Sequence, residues 1–130
     1  MSVLRRWLPV VAWSAVILFV SSDFFSARNT GAFLHDLLGR DVPYTLHIIL
    51  RKLGHLLGYG ILGALAFRAA RVDIPRRPIL SAFAVVLLVA GIDEMHQATL
   101  ASRTGSGWDV VLDLIGASIA VWLLRRTHIN

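Results

Sequence analysis

The sequence contains no cysteine, which excludes disulfide bonds, thiolate metal sites and cysteine nucleophiles. It also lacks internal repeats and low-complexity segments, so we expect a single domain over residues 1–130. Acidic residues are scarce, eight against thirteen Lys and Arg, and the formal net charge is +5. A positive charge can indicate nucleic-acid binding, but the arginines here lie at the ends of apolar segments. We therefore attribute them to membrane topology and predict no nucleic-acid partner.

Apolar residues are present in excess. Hydrophobic residues make up 56% of the chain and the mean hydropathy is +0.67, too apolar for a small soluble domain to cover with polar surface. A transmembrane helix needs about 20 predominantly apolar residues. We predict an all-α bundle of four transmembrane helices, with spans at approximately 7–22, 48–67, 79–97 and 108–124.

The first apolar segment has two interpretations. Because Arg5 and Arg6 precede it, it has the charge pattern of a secretory signal peptide. However, the small-residue cleavage pattern is poor, and Trp7 and Trp13 are typical of a helix anchored at the membrane interface. We therefore predict that the first helix is retained.

The segment between the first two spans contains a short amphipathic stretch. His35 and Asp36 lie opposite apolar residues that recur at helical spacing, namely Ala32, Phe33, Leu34, Leu37 and Leu38. This pattern predicts a short helix. It would either lie on the membrane surface or pack on the bundle.

The distribution of basic residues predicts the orientation. Lys and Arg accumulate on the cytoplasmic side of membrane helices. If the spans alternate in direction, eight of them share the side of both termini: Arg5, Arg6, Arg68, Arg71, Arg76, Arg77, Arg125 and Arg126. The other side has five: Arg28, Arg40, Arg51, Lys52 and Arg103. We predict that both termini are cytoplasmic.

Polar residues occur within the segments whose hydropathy predicts a position in the hydrocarbon core of the membrane. Ionisable groups at membrane depth are unfavourable by several kcal/mol and often mark a functional site. Lys52, His55 and Tyr59 share one helix face because they are three and four residues apart. The third and fourth spans add a further set, Asp93, Glu94, His96, Gln97, Asp109 and Asp113. In an alternating bundle all of these lie toward the outer face.

Three residues give this set its chemistry. A buried neutral His55 needs a hydrogen-bond partner, and we expect Glu94 to provide it. Arg103 offers a planar guanidinium that suits a carboxylate or a phosphate.

Other residues predict how the helices start and pack. Ser106 or Gly107 is positioned to cap the fourth helix, which places Asp109 in its first turn. Gly54 and Gly58 form a small-xxx-small pair, with Gly60 and Gly63 beyond, which permits close approach of a neighbouring helix.

Together these blocks resemble the VanZ-like family of small bacterial integral membrane proteins. The resemblance rests on a Lys-x-x-His-x-x-x-Tyr block, an acidic-Glu-x-x-Gln block and an Arg-x-x-Ser-x-x-Asp block. Their residues here are Lys52, His55, Tyr59, Asp93, Glu94, Gln97, Arg103, Ser106 and Asp109, followed by Asp113 and Gly116-Ala117. Asp113 departs from the pattern, since the family often has Asn there. The resemblance implies a multi-pass protein of the bacterial cytoplasmic membrane, and the family's founder is associated with resistance to the glycopeptide teicoplanin.

The principal hypothesis is a site for an envelope lipid headgroup or a lipid-linked cell-wall precursor, with a contribution to teicoplanin resistance. Lys52 and Arg103 would meet phosphate, while the acidic and amide groups orient hydroxyls or amines. The predicted ligand-binding residues are Lys52, Tyr59, Asp93, Gln97, Arg103, Ser106, Asp109 and Asp113.

Three alternatives remain open. In an enzyme acting on a lipid-linked substrate, His55 would be the general base and Glu94 its orienting group or the acid. The same two residues would relay protons in a proton-coupled carrier. A purely structural network would stabilise the bundle by only about 0.6 kcal/mol per interhelical contact. No recognised metal-ligand spacing occurs, so we predict no metal and no cofactor; association with further copies of the chain is left open.

Overall fold

The computed structural model describes residues 2–22, 35–37, 39, 43–99 and 107–127. These residues contain four long helices, each long and apolar enough to cross a membrane. We name them α1 (Val3–Val20), α2 (Tyr44–Asp73), α3 (Pro78–Ala98) and α4 (Gly107–Thr127). The predicted all-α fold with four apolar helices is confirmed.

The helix boundaries differ from the hydropathy boundaries. Helix α2 has 30 residues and continues at both ends beyond the predicted span 48–67. Helix α1 begins at Val3 and ends at Val20, whereas the prediction was 7–22. Hydropathy marks the segment that suits hydrocarbon, but backbone hydrogen bonding continues a helix into the polar interface.

The short amphipathic stretch is described in part. Residues 35–37 are helical, and the Gly39 N–H donates to the His35 carbonyl at 2.8 Å. The apolar residues 32–34 and 38 of the predicted short helix lie outside the described residues.

A tight connection joins α2 to α3. The Ile74 N–H donates to the Ala70 carbonyl at 2.8 Å and ends α2, and the Arg77 N–H donates to the Ile74 carbonyl at 3.1 Å. Pro78 then opens α3, where its fixed φ suits the first helical position. This short turn makes α2 and α3 antiparallel neighbours.

Helices α2 and α4 cross with their backbones in contact. A Cβ added at Gly63 would lie 2.7 Å from the Ala117 Cβ, and one added at Gly116 would overlap the Leu56 carbonyl. One added at Gly60 would lie 3.2 Å from the Gly116 carbonyl oxygen. Only glycine permits this approach, and it brings the polar faces of α2 and α4 together.

This contact uses only part of the run of glycines that was predicted to permit close helix approach. A Cβ at Gly54 would meet no atom within 4 Å, and one at Gly58 would meet only Ile17, at 3.9 Å. Close helix approach along the glycines of α2 is therefore confirmed at Gly60 and Gly63, whereas the expectation that Gly54 and Gly58 take part in it is wrong. Gly58 instead offers its carbonyl to α1, where Trp13 Nε1 donates to it at 2.8 Å.

The outer surface of the bundle is apolar, as a membrane protein requires. Large side chains such as Val11, Leu57 and Leu88 are each 64% exposed. The core between the helices is small and apolar, with Tyr59, Leu62, Ala66, Ala82, Val86, Ala90, Ala117 and Val121 among its buried residues.

The two ends of the bundle differ in their side chains. The basic end contains the start of α1, the end of α2, the start of α3 and the end of α4. There Arg6 Nε lies 3.1 Å from both Asp73 carboxylate oxygens, and Trp7 Nε1 donates to Asp73 Oδ2 at 2.9 Å. Arg126 stacks on the Trp122 ring, 4.1 Å from its centroid. The polar end is the opposite one, and it contains the candidate site.

Candidate ligand site at the polar end

Three helices supply the site through pairs of residues four positions apart. Arg51, His55 and Tyr59 follow one another on a single face of α2, so each lies about 6 Å deeper than the last. Helix α3 turns Asp93 and Gln97 toward this face, and α4 turns Asp109 and Asp113 toward it. The site is therefore a ladder of three polar tiers.

The outermost tier is centred on Arg51. Its Nη2 donates to Asp109 Oδ2 at 2.7 Å and to Gln97 Oε1 at 2.8 Å, so one guanidinium joins α2, α3 and α4. The Lys52 ammonium lies farther out, 3.8 Å from Asp109 Oδ1. The Lys52 side chain is 54% exposed against 34% for Arg51, so Lys52 is the more accessible cation.

The middle tier is a buried pair. His55 Nδ1 lies 2.9 Å from Asp113 Oδ1, and both side chains are almost fully buried. The His55 ring also stacks on Tyr59 with centroids 5.9 Å apart. The expectation that Glu94 pairs with His55 is wrong, because Asp113 occupies that position. The rotation of α4 directs Asp113 at α2.

The innermost tier involves a fourth helix. The Tyr59 hydroxyl donates to Asp93 Oδ2 at 3.2 Å, and the Ser21 hydroxyl donates to the same oxygen at 3.0 Å. Ser21 lies just after α1, so Asp93 links that end of α1 to the ladder.

Several buried atoms of the ladder have no hydrogen-bond partner among the described residues. They are Arg51 Nε, Asp93 Oδ1, Gln97 Nε2 and Asp113 Oδ2. A buried polar atom without a partner is unfavourable by about 1–3 kcal/mol. Two donors and two acceptors are thus available for water or for a ligand.

The described part of the site also has more negative than positive charge. Its carboxylates are Asp93, Glu94, Asp109 and Asp113, and its cations are Arg51 and Lys52. His55 adds a positive charge only when protonated. Additional cationic groups are therefore electrostatically favoured here.

Seven of the ten predicted site residues come together in the ladder: Lys52, His55, Tyr59, Asp93, Gln97, Asp109 and Asp113. Glu94 is half-buried on the last turns of α3, beside Asp93 in sequence. Arg103 and Ser106 lie outside the described residues. His96, which the pattern also placed near the set, is exposed.

Sequence reasoning missed two members of the site. Arg51, not Lys52, makes the close contacts with α3 and α4, and Ser21 is a partner of Asp93. Arg51 had a detectable signal, since it precedes His55 by four residues and so shares its helix face. Ser21 had none beyond its position at the end of the first apolar segment.

The geometry of the described residues contains no group of three or more His, Asp or Glu side chains placed to hold a metal ion. The described ladder offers hydrogen bonds, charge and a His–Asp pair.

The sequence model of the VanZ/LLP1 family matches residues 6–128, nearly the whole chain. The chain belongs to the VanZ/LLP1 family. The resemblance read from its polar blocks is confirmed, and all tiers of the ladder lie within the matched residues. With its four long apolar helices, it is a multi-pass membrane protein of the VanZ type. No curated protein and no solved structure matches the chain.

Proposed function

We propose that the polar end binds the headgroup of a phosphate-bearing envelope lipid, either a membrane phospholipid or a lipid-linked cell-wall precursor. The observation that carries this proposal is the incomplete pairing of the ladder. Charges of both signs meet at one end of the bundle, and buried donors and acceptors there have no described partner. Buried polar atoms are normally satisfied by protein, water or a ligand, and a polar headgroup supplies both donors and acceptors.

The two cations and the carboxylates of the site have separate roles in this proposal. Lys52 meets the phosphate, because its ammonium is accessible and only loosely paired, 3.8 Å from Asp109. Arg51 holds Asp109 and Gln97 in place, and its bonds to both fix the rim of the site. The excess of carboxylates favours a headgroup that also carries an amine or several hydroxyls, as in a zwitterionic or sugar-bearing lipid.

The orientation belongs to the same proposal. We place both termini in the cytoplasm and the polar end at the outer face of the bacterial cytoplasmic membrane, because most arginines lie at the basic end.

Since the chain has no cysteine, single introduced cysteines report the topology without background labelling. An impermeant maleimide should label Thr45→Cys in intact cells and Thr127→Cys only after permeabilisation. The reverse pattern would contradict the orientation.

The binding experiment measures lipid retained by the purified protein, by mass spectrometry of the intact complex. Lys52→Ala and Arg103→Ala should each lower the retained phospholipid or precursor several-fold. Arg68→Ala is the matched control, because it removes an exposed cation from the other end of α2. Equal retention in all four proteins, the unmutated one included, would contradict headgroup binding at the polar end.

A contribution to teicoplanin resistance follows if the bound lipid is a cell-wall precursor. Cells expressing the chain should then tolerate more teicoplanin than cells expressing Lys52→Ala at the same protein level. Equal susceptibility of the two strains would restrict the proposal to membrane phospholipid.

A second candidate function rests on the middle tier. A histidine whose Nδ1 is held by a carboxylate at 2.9 Å has the arrangement of an oriented general base. In this alternative His55 is the base, Asp113 its orienting group, and the bound lipid the substrate. Chemical change of a retained lipid that stops in His55→Gln, with retention unaltered, would favour the enzyme over simple binding.

A further inference from the structure

An apolar groove runs along the outside of the α2–α4 crossing, immediately below Lys52. Its volume is about 290 Å³, and all of its lining residues are apolar: Leu56, Leu57, Gly60, Ile61, Ala64, Gly116, Ile119, Ala120 and Leu123. We propose that this groove holds one acyl chain of a phospholipid whose phosphate meets Lys52. The inference rests on the proposed function and extends it from the headgroup to the chain.

The groove continues the face that carries Lys52. Lys52, Leu56, Gly60 and Ala64 are spaced four residues apart, so they form one stripe along α2. A helical side chain leans toward the N-terminus of its helix, which at this position is the polar end. The Lys52 ammonium therefore lies beyond the mouth of the groove. A lipid whose acyl chain lies along this stripe would place its phosphate next to the ammonium.

The crossing itself creates the groove. Gly60 and Gly116 bring the two backbones together and have no side chains to cover the contact. The exposed side chains of Leu57, Ile61 and Ile119 stand beside it as walls. The floor is thus backbone and the walls are aliphatic, which suits a hydrocarbon chain.

The dimensions select the occupant. From Leu56 to Ala64 the helix rises about 12 Å, so about 290 Å³ gives a mean cross-section of about 24 Å². A helix of a second copy of the chain would place only a row of its side chains in so narrow a groove. Lys52 at the mouth favours a lipid instead, because the lipid brings a phosphate to the ammonium. An unbranched acyl chain is narrower than a methyl-branched polyprenyl chain. We therefore assign the groove to the acyl chain.

The consequence is that the chain of the lipid adds to its affinity. A headgroup held only at the ladder would bind equally well on a short or a long lipid. A chain held in the groove makes the long lipid bind more tightly, and the lipid enters sideways from its leaflet.

The experiment compares two phosphatidylethanolamines, one with dihexanoyl and one with dimyristoyl chains, titrated onto the intact purified protein. Dimyristoyl lipid should bind the unmutated protein at least tenfold more tightly. Ala120→Phe fills the groove and should remove this preference while leaving dihexanoyl affinity unchanged. Ala84→Phe is the matched control, because Ala84 is exposed on α3 away from the groove. Ala64→Leu, on the α2 side, provides an independent second variant.

The outcomes separate the two proposals. If both groove variants keep the preference for the longer lipid, the groove does not hold the acyl chain. Headgroup binding at the polar end is then still supported. If dihexanoyl lipid does not bind, or binds Lys52→Ala equally well, the headgroup proposal fails and the groove proposal with it. A polyprenyl phosphate that displaces dimyristoyl lipid from the groove, or a dimer that Ala120→Phe dissociates, also overturns the chain assignment.

Discussion

The two ends of the bundle pair their carboxylates differently. At the basic end, Arg6 and Trp7 together occupy both oxygens of Asp73. At the polar end, Asp93 and Asp113 each have one bonded oxygen and one without a described partner. The chain is therefore able to satisfy a carboxylate completely, and it does so where the carboxylate only fastens α1 to α2.

This difference indicates what each end contributes. A satisfied ion pair fixes two helices in one arrangement, and its removal leaves a charge without a counterion. A ladder with unpaired donors and acceptors adds less to stability than its number of polar groups suggests. Buried polar groups that contribute little to stability are typical of a functional site. The basic end is a structural clamp, and the polar end is the candidate site.

The largest effect is expected from Gly116→Leu, which removes the close crossing of α2 and α4 that brings their polar faces together. A leucine side chain would overlap the Leu56 backbone and force α2 and α4 apart. We expect little or no folded protein by size-exclusion chromatography in detergent. Gly54→Leu makes the same change where a Cβ meets nothing within 4 Å and should fold normally. Similar behaviour of the two variants would show that the crossing is not close-packed.

The next largest effect is expected from Asp73→Asn at the basic end. The change leaves Arg6 without its counterion and weakens the acceptor for Trp7. We expect the melting temperature in detergent to fall by several degrees. Asp36→Asn, at an exposed carboxylate, should leave it unchanged. If both variants melt like the unmutated protein, the basic end is not a clamp and the contrast between the ends disappears.

The helices could be predicted from the sequence because membrane thickness fixes how many apolar residues a span needs. The site could be predicted in outline for a related reason. His55, Asp93 and Asp109 are unfavourable in hydrocarbon, so they must face one another inside the bundle.

The pairing inside the site could not be predicted, because it depends on how far each helix is rotated about its axis. The four-residue spacing of Arg51 and His55 already places both on one face of α2, but it does not determine which carboxylate of another helix each of them meets. The rotation of α4 about its own axis directs Asp113 at His55 and so makes the two residues partners. The rotation of α2 also decides which of its glycines take part in the crossing: Gly60 and Gly63 do, and Gly54 does not.

A moderate effect is expected from Trp13→Phe, which tests α1 between the two ends. The change removes the indole donor to the Gly58 carbonyl, a single hydrogen bond of 2.8 Å. We expect a loss of about 1 kcal/mol in the free energy of unfolding. The effect should therefore be smaller than that of Asp73→Asn in the same denaturation assay. A larger loss would mean that α1 is held at its middle more than by the clamp.

The smallest effect is expected from Asp113→Asn at the polar end. The amide oxygen can still accept from His55 Nδ1–H, so the middle tier keeps its hydrogen bond without the carboxylate charge. Removing one of the three carboxylates of the ladder also relieves repulsion among them. We expect the free energy of unfolding to change by no more than about 0.5 kcal/mol, or to rise. A loss as large as that of Asp73→Asn would mean that His55 and Asp113 form a stabilising ion pair. The polar end would then be a second clamp, and the argument that its charges serve ligand binding would lose its support.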